Sequence, residues 1–354
     1  MHRSPRPCLL GRAGVTLVGL VLAGAGCSQG PARTRDVAGD RRPRGELTDG
    51  GSAATGGTAV VPEPPRPVEQ AVVKGNRPRV VVKASARALA LDASHVYYGD
   101  SDDDGVYSVA AAGGAPVRIA RHAPVAGAIA LAGSSITWIA SPGDAVLRAP
   151  VAGGVQPTTL RDRGIFSDVA AIGDDVFITE AIGAGGALLH VVGASSTRLA
   201  AFDGPPRAVL VDTTYVYVVT PSKIVRTLHA RGELEAVASG SRFTHCEIDE
   251  GFVYVVTDVD KGRGVVRFPK AGGPAAVVAR DVRDAPIEIE GGDLFYFDAA
   301  RAQLRSVAVA GGESRVVVED EGLATVSALE ADATTIYVAE GVHETGAIVA
   351  VPRR

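Results

Sequence analysis

From Val80 onward, short runs of alternating apolar and polar residues are separated by glycine turns. One run in each unit is rich in aromatic and β-branched residues. It reads VYY at Val96, ITW at Ile136, VFI at Val176, VYV at Val216, VYV at Val253, LFY at Leu294 and IYV at Ile336. The intervals are 40, 40, 40, 37, 41 and 42 residues. Before this run comes another alternating stretch, such as ALALD or AVLVD. After it come a variable hairpin, a third stretch such as VYSVA or VVRFP, a Gly-Gly turn, and a fourth such as VRIA or AVVA. Period-two alternation between glycine turns predicts β-strands, and helical periodicity is absent from this region.

Four strands in about 40 residues make one blade of a β-propeller. A four-stranded sheet this short leaves both faces exposed, and stacking the sheets in a ring buries them. The seventh unit breaks off after its third strand, at GAIVAVPRR. The missing fourth strand has a counterpart at the other end of the repeat region. RVVVK, Arg79 to Lys83, matches RVVVE, Arg315 to Glu319. The pattern therefore predicts an all-β, seven-bladed propeller over residues 79–354. Its last blade is completed by an N-terminal strand, which removes an open sheet edge.

The aromatic strand resembles the YWTD repeat of lipoprotein-receptor-type propellers. The resemblance rests on YYGD at Tyr97, FYFD at Phe295, FITE at Phe177 and YVAE at Tyr337, with the acidic place filled by Asp100, Asp298, Glu180 and Glu340. Trp138 stands in a unit, TWIA, that departs from the pattern, and that family is usually six-bladed. The resemblance implies the fold. Propellers of this kind bind proteins or small ligands, and some related ones are enzymes.

The N-terminal segment changes the picture of location. Arg3, Arg6 and Arg12 precede a mostly apolar stretch from Ala13 to Gly26, too short to span a bilayer. Small residues then lead into Cys27. This resembles a bacterial lipoprotein signal, with residues 1–26 removed and Cys27 lipidated; ordinary secretion is the alternative. In that family a leucine-like residue usually stands three before the cysteine, and here Gly24 does. Residues 27–78 read as the lipidated terminus and a tether, since Ser28 to Pro78 holds eight glycines, seven prolines and no aromatic. Such a segment lacks the apolar surface to offset the entropy of ordering. The expected address is a bacterial cell envelope, anchored in the membrane by lipid and facing the periplasm or cell surface.

With Cys8 removed and Cys27 modified, Cys246 has no disulfide partner. Loss of the three signal arginines leaves 33 Lys+Arg against 40 Asp+Glu, a net charge of −7. That balance argues against nucleic acid as a partner.

Two acidic constellations invite a metal reading. Asp100, Asp102, Asp104 and Gly105 spell D-x-D-x-D-G, the opening of a calcium loop. Calcium needs about six to eight oxygens, and later positions of the loop hold Ser108 and Ala111. The alternative is a solvated hairpin tip in which Asp100 caps backbone amides. The second constellation lies in the first strands. Aligned by their last apolar residue, the position before reads Ala90, Ala130, Ala171 and Leu210, then Glu247, Glu288 and Glu330. Three glutamates at one height, beside Asp168 and His245 near the channel mouth, would favour a bound cation such as Ca2+, or a channel ligand. The alternative is that they bond to backbone amides or water. Propeller lactonases similarly hold calcium on inner-strand carboxylates and amides, but matching asparagines are missing here. No H-E-x-x-H, G-x-S-x-G or phosphate-loop pattern occurs.

The sequence thus favours a non-enzymatic propeller scaffold that binds a protein, glycan or peptide. A metal-dependent hydrolase or lyase at the channel mouth is the alternative.

Overall fold

The computed structural model describes residues 77–121, 125–230, 232–260, 262–320, 323, 325–341 and 346–353. The signal, Cys27, the tether before Arg77, and His122, His343 and Glu344 lie outside the described residues. Those described form seven four-stranded antiparallel sheets. Blades one to six span 86–120, 125–162, 166–203, 208–239, 246–280 and 287–319. Blade seven takes three strands from 326–352 and its fourth from Arg79–Lys83.

The closing strand pairs antiparallel with Ala347–Pro352, placing Arg79 opposite Ala350 and Lys83 opposite Ala347. A bulge lies between Val80 and Val82, and Val81 and Val82 are buried. First strands of successive blades adjoin one another all the way round, including blade seven with blade one. They therefore surround the axis. First strands of blades one, two and three carry alanine opposite the periodic second-strand residue, as at Ala90, Ala130 and Ala170.

The apolar core is divided among the seams between blades. Seven buried clusters occur among the described residues, and each combines side chains of two neighbouring sheets. The periodic aromatic supplies the knob. Tyr97, Phe177, Tyr217, Tyr254, Phe295 and Tyr337 share one register, and each enters the cluster formed with the following blade. Blade two has Thr137 there, while Trp138, one place along, fills the seam back toward blade one. This is why aromatic and β-branched residues recur at the blade period: each must fill a hole in the next sheet.

The turn from first to second strand comes in two forms, matched to that aromatic. In blades one, four, five and seven an aspartate five residues before the tyrosine caps the turn. Asp249 Oδ1 accepts the Gly251 and Phe252 N–H groups at 2.8 Å each, and Oδ2 accepts the Tyr254 hydroxyl at 2.5 Å. Asp92–Tyr97, Asp212–Tyr217 and Asp332–Tyr337 repeat the arrangement. In blades two, three and six the knob is Thr137, Phe177 or Phe295, which do not fill this hydroxyl role. There the turn instead uses Gly133, Gly173 or Gly291 at φ 57–59°, a conformation glycine adopts without steric cost. Arginines tie the same face from blade to blade. Arg226 donates to Lys270 O, Arg267 to Val309 O, and Arg79 to Ala111 O and Ala112 O.

Two outcomes test this scheme. A chain shortened to begin at Ala84 exposes the edge of Ala347–Pro352. It is expected to lose its single cooperative thermal transition and to aggregate, measured by calorimetry and light scattering. Asp249→Ala orphans two amides and a buried phenol, and is expected to cost about 1–3 kcal/mol in urea denaturation.

Candidate functional site

Antiparallel topology sorts the loops onto two faces. The capped turns and the Gly-Gly turns lie on one. The hairpins between second and third strands, and the connections between blades, lie on the other, here called the hairpin face. Among the described residues, the candidates other than those buried in the seams belong to this second face.

A cleft of about 350 Å³ opens there between blades five and six, lined by Arg263, Asp281, Val282, Arg283, Asp284, Asp298, Ala300 and Arg301. Arg263 is the second residue of the third strand of blade five, Gly262–Pro269, and its side chain is 15% exposed. Its Nη2 donates to Thr244 Oγ1 at 2.8 Å, Arg242 O at 3.2 Å and Asp284 Oδ1 at 3.3 Å. Its Nη1 lies 3.6 Å from Asp258 Oδ1. The guanidinium thus joins the connection entering blade five to the connection leaving it. On the blade-six side, Asp298 is buried at the base of its hairpin. Oδ1 accepts the Ala300 N–H at 3.1 Å, and Oδ2 accepts Arg301 Nη1 at 2.7 Å. Between these walls Val282 is fully buried, and its N–H donates to Arg263 O at 3.2 Å.

His245 stands behind this wall. It is buried, with Nε2 3.8 Å from Asp284 Oδ1. Burial pushes its pKa down to about 4. The nearby Arg263 adds to that, and Asp284 opposes it. The ring is therefore neutral at physiological pH.

The inner-strand acids take a different place. The pairing corrects the alignment in blade three: Ala170, not Ala171, is the counterpart of Ala90, because Phe177 opposite Ala170 matches Tyr97 opposite Ala90. The last apolar residue misleads there, since Ile172 belongs to a tighter turn. The constant guide is the five-residue spacing to the second strand. With this correction Asp168 shares a register with His245, and Ser167 with Thr244 and Ser327.

The glutamate position faces the next blade, as Ala90 does toward blade two. Glu247, Glu288 and Glu330 are buried opposite Tyr254, Phe295 and Tyr337, and each engages neighbouring groups. Asp168 bridges blades three and four, accepting the Val169 N–H at 2.9 Å and the Val209 N–H at 2.7 Å. Burial drives its carboxyl up to about 8 against the pull of those two amides. Cys246 is buried in the seam between blades four and five.

The aspartate hairpin of blade one is built as a turn. Asp100 Oδ1 accepts the Asp102 N–H at 3.0 Å, the cap that Asp298 repeats in blade six. Asp104 adopts a φ of 44° before Gly105, and Asp102 and Asp104 are exposed. Asp103, which the D-x-D-x-D-G pattern skips, accepts hydrogen bonds from the Tyr107 hydroxyl and Arg118. Among the described residues, no three His, Cys, Asp or Glu side chains converge in a metal-holding group.

Sequence reasoning passed over the cleft. Its residues come from DVRDAP, Asp281 to Pro286, and DAARAQ, Asp298 to Gln303, which lie in loops outside the strand periodicity. The one signal was Asp298, the acid that closes the YWTD-like strand.

The hairpin face also carries a pH-sensitive carboxyl. Burial, and then the nearby Asp320, raise Glu340 from 4.5 to about 7. The folded chain therefore holds a proton that the unfolded chain releases. The contribution of Glu340 to stability is expected to fall as pH rises from about 5 to about 7 and to level above that, while buried Asp168 extends the loss to about pH 8 and buried His245 contributes in the opposite direction between about pH 4 and 6.5. Glu340→Gln is expected to flatten this slope in thermal midpoints measured across the range.

No protein-family model matches the chain, and neither does any curated protein. Solved structures do. Hydrazine synthase of Kuenenia stuttgartiensis aligns with a TM-score of 0.60 at 11% identity, over 80% of this chain and 99% of that one. YCF48 from Cyanidioschyzon merolae gives 0.56 at 11% identity, over 77% and 98%. The AfRom2 CNH domain gives 0.56 at 10% identity, over 78% and 99%. At such identities the likeness establishes the fold: the chain is a seven-bladed β-propeller.

Proposed function

We propose that this chain is a binding scaffold carried outside the cytoplasm on an N-terminal lipid. In this reading residues 1–26 direct export, Cys27 takes the lipid, and residues 27–78 tether the propeller of residues 79–354 to the envelope membrane. The propeller binds a protein, glycan or peptide on its hairpin face. The cleft between blades five and six carries the reading. It sits where loops vary from blade to blade, while the apolar side chains are committed to the seams. Its walls are held by Arg263–Asp284 and Arg301–Asp298, so the polar surface is fixed before a ligand arrives, which lowers the cost of binding.

Three measurements test this. Cys27→Ser is expected to abolish incorporation of labelled fatty acid and to release the chain from the membrane fraction. The full chain is expected to bind members of a glycan or peptide array, and Arg301→Glu to weaken that binding. Metal analysis after dialysis is expected to find less than one divalent ion per chain. One tightly held ion per chain, with hydrolysis of an ester or lactone lost on its removal, would favour a metal-dependent hydrolase or lyase instead.

A further inference from the structure

Of the six charged side chains that line the cleft, four are spent on its walls. Arg263 engages Asp284, and Arg301 engages Asp298. Arg283 and Asp281 remain. Neither makes a side-chain hydrogen bond or ion pair with another described residue, although they are of opposite sign and two positions apart. Both are exposed, and fully buried Val282 lies between them. Val282 packs into the seam between blades five and six, and its N–H is fixed on Arg263 O. The two charges are therefore anchored through the residue they flank. Asp281 holds a φ of 58°, the left-handed region, which aspartate enters more readily than most residues other than glycine. Among the described residues, the cleft lining thus offers one cation and one anion without a charged partner.

We infer that this cleft takes a small zwitterion, a short molecule with a carboxylate and an ammonium group, as in a free amino acid. The carboxylate pairs with Arg283, whose planar fork suits two oxygens, and the ammonium pairs with Asp281. A cleft of about 350 Å³ accommodates a molecule of that size. Ligands with one charge lose one of the two contacts. The inference rests on the reading that the hairpin face of blades five and six is the binding face, and it names the ligand chemistry there.

Calorimetric titration of the full chain with glycine and with L-leucine tests it, beside acetate and ethylamine as single-charge probes. At least one amino acid is expected to bind at least about tenfold more tightly than either single-charge probe. Arg283→Gln and Asp281→Asn are each expected to weaken amino-acid binding about tenfold, with the thermal midpoint unchanged because both side chains are exposed. Absence of binding by both amino acids would overturn the inference. So would acetate or ethylamine binding as tightly as the amino acids, or unchanged affinity in both variants. Array binding that persists while amino acids fail would overturn the zwitterion and leave the scaffold standing. Loss of both would remove both.

Discussion

Side chains of each sheet interlock with those of the next, and the rest of the molecule depends on that contact. A blade has no closed core of its own. Tyr254 has no interior to occupy until the wall containing Ile287, Ile289 and Leu294 stands opposite it. Each seam therefore stabilises two blades at once, and each blade needs both neighbours. The ring satisfies this condition at all seven seams, which is why the last seam must be sealed by a strand from elsewhere in the chain.

The polar architecture follows from the same contact. A tyrosine driven into a seam carries its hydroxyl toward the turn face, where a buried phenol needs a partner. Blades with tyrosine supply aspartate; blades with phenylalanine or threonine supply a glycine turn. Arginine ties then cross the seams at the rim. The hairpin face carries no such repeated constraint, so its loops differ in length and charge. That freedom is what lets blades five and six build a cleft between them.

The fold was legible because period-two strands and a blade period near 40 residues are properties of the sequence itself. The match of Arg79–Lys83 to Arg315–Glu319 was enough to predict the closing strand. The direction in which an inner-strand side chain points was less legible. Glu247, Glu288 and Glu330 stand at one height on first strands, and alternation along the strand turns that position toward the next sheet beside the axis. The one-residue slip at Ala171 came from the apolar Ile172, which extends the strand by one pair before a tighter turn. The cleft was not legible, because Arg263, Arg283 and Asp284 are brought together by loops of two blades, and loop charges carry no period.

The strand Arg79–Lys83 meets a partner some 270 residues away along the chain. A contact of that sequence separation carries a large loop-closure entropy and forms late. As the polypeptide emerges, six sheets can assemble in order, while the seventh waits for its most distant piece. Until then the first strand is loose and the final sheet has an unpaired margin, the state in which such a molecule exchanges strands with a second copy. Ring sealing is thus the step at which one chain commits to folding by itself.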